Sequence, residues 1–309
     1  MPASLRELRQ RRKSVTATKK ITRAMELIAS SRIIRAQQAA ARALPFTREL
    51  NRAVSAVASK SRLNHPLTAH VENPKRIAIL FITSDRGMNG AYSSNVIKTV
   101  AAFRQRTESE GKELVRYVVG RKGIGFLKYR GLPMEEHWEG FSDAPTYDRA
   151  VEISDRLLED FLKPAEEGGV DEIWAAYTRM ESMLTQSPRV RRLLPLEVVE
   201  GEHEPSSDDL EPLYLFEPDP ETVLDALLPL YIRSRVWFYL LQSAASQLAS
   251  QQRAMKSATD NAQQLIERLT REANAARQSE ITQEISEIVG GASALADLTE
   301  NDYADRQQR

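Results

Sequence analysis

The stretch that most constrains this chain runs from Leu230 to Val289. Its 60 residues contain neither proline nor glycine, although the whole chain has 14 and 13 of them. No aromatic residue falls between Tyr239 and Tyr303. A run so rich in Ala, Gln, Leu, Arg and Ser holds nothing that stops a helix. At 1.5 Å per residue it predicts a rod roughly 90 Å long.

The periodicity requires a partner for that helix. Leu241, Ala245, Leu248, Gln252, Met255, Thr259, Ala262, Ile266, Leu269, Ala273 and Ala276 follow an unbroken four-three alternation, which defines a heptad seam. The seam then slips by one and is expected to continue as Ile281, Ile285 and Ile288. Many seam residues are small, so the partner can approach closely. Gln252 and Thr259 argue against a symmetric leucine zipper, and a second long helix is available within the chain. Leu5 to Arg62 lacks glycine and has one interior proline, Pro45, a possible kink. Leu5, Leu8, Val15, Ile21, Met25 and Ile28 mark its expected apolar stripe.

Charge is strongly segregated behind a net charge of zero. Residues 1–62 carry 15 Lys and Arg against Glu7, Glu26 and Glu49, whereas residues 197–225 hold 11 acidic residues and no basic one. Residues 278–305 hold seven acidic residues and again no basic one. Such segregation serves partners or solvation rather than a core. Arginines ring the amino-terminal helix without aromatic interleaving, which favours an acidic protein partner over nucleic acid or lipid. No apolar run approaches the ~18 residues of a membrane span, and no apolar core follows Met1 as in a secretory signal. Without cysteine, disulfides, thiol switches and cysteine-based metal sites are excluded.

The middle of the chain follows another plan, and 11 of the 13 glycines lie between Gly87 and Gly201. Arg76–Thr83 reads as a buried strand, followed by a turn over Ser84–Gly90 and a helix to about Arg106. Leu114–Val119 reads as a second strand, then a loop at Gly120–Gly123 before a short helix. Tyr147–Leu162 is an amphipathic helix and Asp171–Thr178 a third strand. Edge strands are expected around Leu193–Val199 and Leu213–Phe216, with an acidic, mobile loop at Glu200–Glu211 between them. Alternating strands and helices predict a small open, Rossmann-like sheet. The expected organisation is thus a helix over residues 1–62, an α/β domain over 63–220, a second helix over 221–296 and a polar tail over 297–309. The expected fold class is α/β plus a long coiled coil, with two terminal helices flanking the sheet.

No catalytic chemistry is legible. Gly87-Met88-Asn89-Gly90 follows a strand but lacks the dinucleotide spacing and any following Lys-Ser or Lys-Thr. Glycines shaping a turn explain it better than a phosphate loop, and Gly120-Arg121-Lys122-Gly123 reads as a solvated loop. His65, His70, His137 and His203 show no metal spacing. Neither a catalytic residue nor a cofactor or metal site is expected.

Four segments in order carry a resemblance over nearly the whole chain. Lys20–Ala29 (KITRAMELIA), Thr83–Gly87 with Gly90-Ala91-Tyr92 and Ser94-Asn95, Met255–Ala262 (MKSATDNA), and Ile281–Glu287 with Gly290-Gly291-Ala292 resemble the gamma subunits of F-type ATP synthases. The resemblance implies a non-catalytic rotor shaft. Its two terminal helices would form an antiparallel coiled coil standing inside a ring of alternating alpha and beta subunits, with the α/β domain against the epsilon subunit and the c-ring. Proton flow would turn the ring and shaft and drive the catalytic sites of the beta subunits in sequence. The place implied is the cytoplasmic face of the cell membrane, peripheral, with membrane contact only through the complex.

By the same resemblance, Arg11, Arg12, Lys13, Lys19, Lys20 and Arg23, with Met25, face an acidic loop of the beta subunits. Arg277, Gln278, Thr282 and Glu287 meet a catch loop of the beta subunit. Ile281, Ile285, Ile288 and Val289 run in an apolar bearing, although a plain coiled-coil seam also fits them. The chain departs from the family at Met88-Asn89, where Leu-Cys is common, at Gln247 for glutamate and at Ala273 for tyrosine. It has no cysteine-bearing regulatory insert, and it continues past the signature to Arg309. Two other readings stand beside this one. A coiled-coil scaffold would bind nucleic acid through the basic amino terminus, and an enzyme on the α/β domain would need a ligand pocket that no motif indicates.

Overall fold

The computed structural model describes residues 4–60, 67–68, 71–196, 217 and 219–306, with the backbone alone at 55, 58–60 and 294–306. Leu213–Phe216, the loop at Glu200–Glu211, His65, His70 and His203 lie outside the described residues. The chain divides into two compact units, one of Met1–Met25 with Met255–Arg309, the other of Glu26–Ala254. Two helices are shared between them, α1 (Leu5–Lys60) and α5 (Pro220–Arg306).

Both helices run through residues that ought to interrupt them. Pro45 lies inside α1 and Pro229 inside α5. Each proline removes one helical N–H, a loss that neighbouring tertiary packing can outweigh. In α5 that packing is substantial, since Leu224, Leu228 and Ile232 around Pro229 are fully buried. At its other end α5 passes Gly290 and Gly291 and continues to Arg306.

In the larger unit, five strands form one sheet: β1 (Arg76–Ile82), β2 (Glu113–Val119), β3 (Glu136–Trp138), β4 (Glu172–Met180) and β5 (Gln186–Leu194). Their order is β3-β2-β1-β4-β5. The first four are mutually parallel and β5 runs antiparallel to β4. Helices α2 (Tyr92–Ser109), α3 (Arg121–Arg130) and α4 (Tyr147–Leu162) supply the crossovers. Ile77, Ile79 and Phe81 face α2 and α3, where they pack with Val96, Val100 and Leu127. Ala78, Leu80 and Ile82 face the opposite layer, with Ile153 and Leu157 of α4 and Leu228, Ile232 and Tyr239 of α5. Burial on both faces is why β1 reads as a continuous apolar run.

Two strands differ from expectation. The edge strand after β4 is Gln186–Leu194, so it ends one residue after Leu193, its expected start. Pro188 and Arg189, Arg191 and Arg192 make it polar, as suits a sheet edge but not an apolar template. The three residues of β3 are too few to show a period. The expected loop at Gly120–Gly123 is also displaced, because α3 begins at Arg121.

α5 completes the sheet. Beyond the last pairing of β4 with β1, the backbone N–H of Thr178 donates to Ser243 Oγ (3.3 Å) and that of Met180 to Gln242 Oε1 (3.2 Å). Ser246 Oγ donates back to the Thr178 carbonyl at 3.0 Å. Tyr239 stacks on Tyr177 with centroids 4.3 Å apart, and Arg235 lies 5.3 Å over the Tyr239 ring. Alongside α1, Thr47 and Ser234 join hydroxyls at 3.0 Å, and Ile33 packs with Leu248 and Ala249.

A buried carboxylate ties α4 to β2. Asp160 accepts hydrogen bonds from Tyr117, from Arg156 at 2.7 Å and from Lys163 at 2.8 Å. Burial alone would raise the Asp160 pKa, but the bonds from Lys163, Tyr117 and Arg156 outweigh it and hold the group ionised below its ordinary range. Burial first, then the same contact, pushes the Tyr117 hydroxyl upward.

Candidate subunit interface

The implied contact residues lie in the smaller unit, where the ends of α1 and α5 pair. α1 begins with a reciprocal cap. The Glu7 N–H donates to Ser4 Oγ at 3.3 Å, and the Ser4 N–H donates to Glu7 Oε2 at 3.0 Å. This is a capping box, legible as Ser-x-x-Glu but overlooked in the sequence reading. Next, Leu8 buries against Leu269 and Ala273, flanked by Leu5, Val15, Leu265 and Ala276. Farther along, Thr259 donates to Thr22 Oγ1 at 2.8 Å, and Thr22 donates to the Lys19 carbonyl at 3.1 Å. Lys19 Nζ donates to Gln263 Oε1 at 2.6 Å. Residue numbers rise on one helix as they fall on the other, so the pair is antiparallel.

The seam on α5 is buried at Met255, Thr259, Ala262, Leu269 and Ala273. On α1, however, the expected stripe is displaced. Leu8 and Thr22 are buried, with Leu5, Val15 and Met25 half-buried, whereas Ile21 is 60% exposed. In the larger unit, Ala29 and Ile33 are buried while Ile28 is exposed. Close approach over Thr22 and Ala29 selects the small-residue face, and the bulkier isoleucines beside it turn outward.

The isoleucines at the end of α5 do not extend the seam. Ile281, Ile285, Ile288 and Val289 are 44%, 56%, 71% and 62% exposed. At about 100° per residue, the seam face after Ala276 would present Glu280, Gln283 and Glu287, not the isoleucines. Among the described residues, the apolar cluster that joins the two helices reaches along α5 as far as Ala276, and the isoleucines form a separate exposed stripe.

The implied catch-loop set is only partly brought together. Gln278 and Thr282 are adjacent on one side, Arg277 lies about 100° from Gln278, and Glu287 falls on the continuation of the seam. All four are exposed. The Thr282 hydroxyl already donates to the Gln278 carbonyl at 2.9 Å, and Glu287 accepts from Gln283 at 2.9 Å. On α1, Lys19, Lys20 and Arg23 share an arc of about 100°, while half-buried Met25 points elsewhere. Arg11, Arg12 and Lys13 are exposed.

The glycine turns of the α/β unit are taken up by the fold itself. Asp85 sits at the start of α3, accepting from the Arg121 N–H at 3.2 Å and the Ser142 N–H at 2.9 Å. Burial raises its pKa, but backbone donors at Gly140, Ser142 and Arg121 and the Ser142 hydroxyl leave it below its ordinary value. The chain's own carboxylate thus occupies the place an anion would take. Gly120, at φ 97°, and Gly123 are required because Thr83 passes close to both. The Gly123 N–H donates to Thr83 Oγ1 at 2.9 Å. Among the described residues, no group of three or more His, Asp or Glu is arranged to hold a metal ion, and no helix is long and apolar enough to cross a membrane.

Comparison with known proteins agrees with this plan along its length. A family model described as ATP synthase matches residues 4–295. The ATP synthase gamma chain of a Nocardioides species is 57% identical over 96% of this chain and 98% of its own length. That of Cutibacterium acnes is 56% identical with the same coverage. Among solved structures, a chain of the Euglena gracilis mitochondrial ATP synthase (OSCP/F1/c-ring) shares the fold at a TM-score of 0.62 and 17% identity, with 94% of each chain covered. The chain therefore belongs to the ATP synthase gamma chain family.

Proposed function

We propose that this chain is the central rotor shaft of a proton-translocating F-type ATP synthase, without a catalytic site of its own. The observation that carries the reading is the end of the helix pair. There, an internally bonded seam gives way to an exposed aliphatic stripe on a helix with no interior proline or glycine between Leu230 and Val289. In this reading the alpha and beta subunits surround that end, and the epsilon subunit and c-ring contact the α/β unit. The complex sits at the cytoplasmic face of the membrane. Ion flow through the c-ring turns the shaft, and its asymmetric surface drives the beta-subunit sites through their affinity states.

Each contact set then has a physical role. Ile281, Ile285, Ile288 and Val289 offer a sleeve apolar surface without directional bonds. Lys19, Lys20 and Arg23, with Arg11, Arg12 and Lys13, attract an acidic loop over several ångströms, so the contact can slide. Arg277, Gln278, Thr282 and Glu287 engage the beta catch loop. A nucleic-acid role gains no support from the family assignment.

The test is co-assembly. This chain is co-expressed with the alpha and beta subunits of its own organism, and particles are purified through a tag on beta. One copy per particle, with ATPase activity that depends on it and fails for Leu269→Pro, is the expected result. Equal assembly and turnover without the chain would overturn the proposal.

A further inference from the structure

The outer face of the α/β unit carries a groove that the rotor reading does not use. It lies between α2 and α3 and has a volume of about 410 Å³, within the range of small-molecule sites, roughly 300–1,000 Å³. Val100, Phe126 and Leu132 form part of its apolar floor, and Arg104, Arg116 and Arg130 stand in its wall.

The charges there are unbalanced. The Arg116 side chain is only 8% exposed, and its nearest carboxylate, Glu108, is 4.0 Å away. That carboxylate is already engaged by Arg104 at 2.6 Å. Arg130 rests over the Phe126 ring at 5.8 Å. Three guanidiniums thus face one carboxylate, and the most buried of them has no partner at hydrogen-bonding distance among the described residues. Burial, then repulsion from Arg104, pulls Arg116 below its ordinary pKa against the opposing pull of Glu108. A buried charge in that position is costly unless an anion completes it. A bare inorganic anion would leave the apolar floor wet, and a neutral apolar molecule would leave the guanidiniums unmatched.

We propose that this groove binds a small amphiphilic anion, its carboxylate or phosphate head on Arg116 and Arg130 and its hydrocarbon body on the floor between α2 and α3. The arrangement is independent of the helix pair and its subunit contacts. Planar guanidiniums suit an oxyanion head because each can present two parallel donors.

The test is calorimetric titration of the full-length chain with decanoate and decyl phosphate, using decanol and inorganic phosphate as controls. Decanoate and decyl phosphate are expected to bind with one-to-one stoichiometry, and both controls at least tenfold more weakly. Arg116→Met should weaken decanoate binding roughly 10- to 100-fold, the scale of one lost charge-assisted contact. Because it replaces a poorly matched buried charge with an apolar chain of similar length, it should leave the melting temperature unchanged or raised. Should that variant fail to fold, exposed Arg130→Gln and Ala101→Trp, the latter filling the groove mouth, carry the test. Decanol binding as well as decanoate, no heat with the wild type, or wild-type affinity in the folded variants would each overturn the proposal.

Discussion

Replacing Ile281, Ile285 and Ile288 together by serine separates a surface that works only in assembly from one that stabilises the chain itself. These residues are 44%, 56% and 71% exposed, so much of their apolar surface remains to be buried by a partner. Full burial of such a side chain is worth about 1.5–3 kcal/mol. Scaled by those fractions, a sleeve that covered all three would lose roughly 2.5–5 kcal/mol on their replacement. That corresponds to an affinity for the alpha-beta ring about 100-fold to several thousand-fold weaker. Isoleucine and serine have similar helix propensities, and exposed substitutions usually stay within about 0.5 kcal/mol. The isolated triple variant should therefore keep its helical circular dichroism and its melting curve. The assay pairs that melt with a binding titration against gamma-depleted alpha-beta ring. An unchanged affinity, or a melt that falls as much as the affinity does, would refute the assignment of this stripe to an apolar sleeve.

Other consequences can be checked on the chain or the complex. Leu269→Ala removes a side chain that is 2% exposed in the helix-pair core, and should destabilise that pair by about 2–5 kcal/mol, read by hydrogen exchange over 255–276. Asp160→Asn should cost about 2–3 kcal/mol by removing charge-assisted bonds. Because the folded pKa of Asp160 lies below its ordinary 3.8, the unfolded chain takes up the proton first as pH falls. Its stabilisation is therefore complete above the ordinary value and is lost as pH falls through the lower folded pKa. Acid melts should show the wild type losing its advantage over Asp160→Asn progressively as pH falls below about 5. Gly123→Ala puts a Cβ within 2.8–2.9 Å of Val118, Phe81 and Thr83 and should cost about 1–3 kcal/mol by overpacking, seen in thermal denaturation. Exchanging Arg12, Lys13 and Lys20 for glutamate should slow association with the alpha-beta ring about tenfold at low salt. Stopped-flow rates should converge with wild type once salt shortens the screening length to a few ångströms.

What could be read from the sequence was what periodicity and composition record. The seam from Leu241 to Ala276, the buried strand β1 and helix α4 all follow from spacing, because burial on a fixed face leaves a fixed period. On α1 the bulky residues Ile21 and Ile28 do not mark the buried stripe. Helices in close approach bury Thr22 and Ala29 and leave Ile21 outside, a choice made by the partner helix and invisible within one segment. β5 was placed too late because an edge strand tolerates Pro188 and arginines, and β3 was missed because three residues show no period. Pro229 lies inside the helix expected over 221–296, and the surrounding buried leucines keep α5 helical there. The candidate contacts were named by resemblance, and only geometry separates Glu287 from Gln278 and Thr282.

The polar side chains of the paired ends suggest why such a surface could turn. Thr22 and Thr259 satisfy each other within the seam. Outside it, Thr282 donates to its own helix at Gln278, Ser286 donates to Thr282, and Gln283 is held by Glu287. Thr282, Gln283 and Ser286 thus already donate within α5, which leaves Arg277 and Gln278 as the outward polar groups of the implied contact set. What remains outward on this stretch is aliphatic surface, attractive without orientation, beside the exposed carboxylates Glu280 and Glu284. A static interface gains specificity from unsatisfied donors and acceptors that find fixed partners. Under the proposed rotor reading, their internal satisfaction would lower the barriers between successive orientations of the shaft, while the apolar stripe would keep it seated.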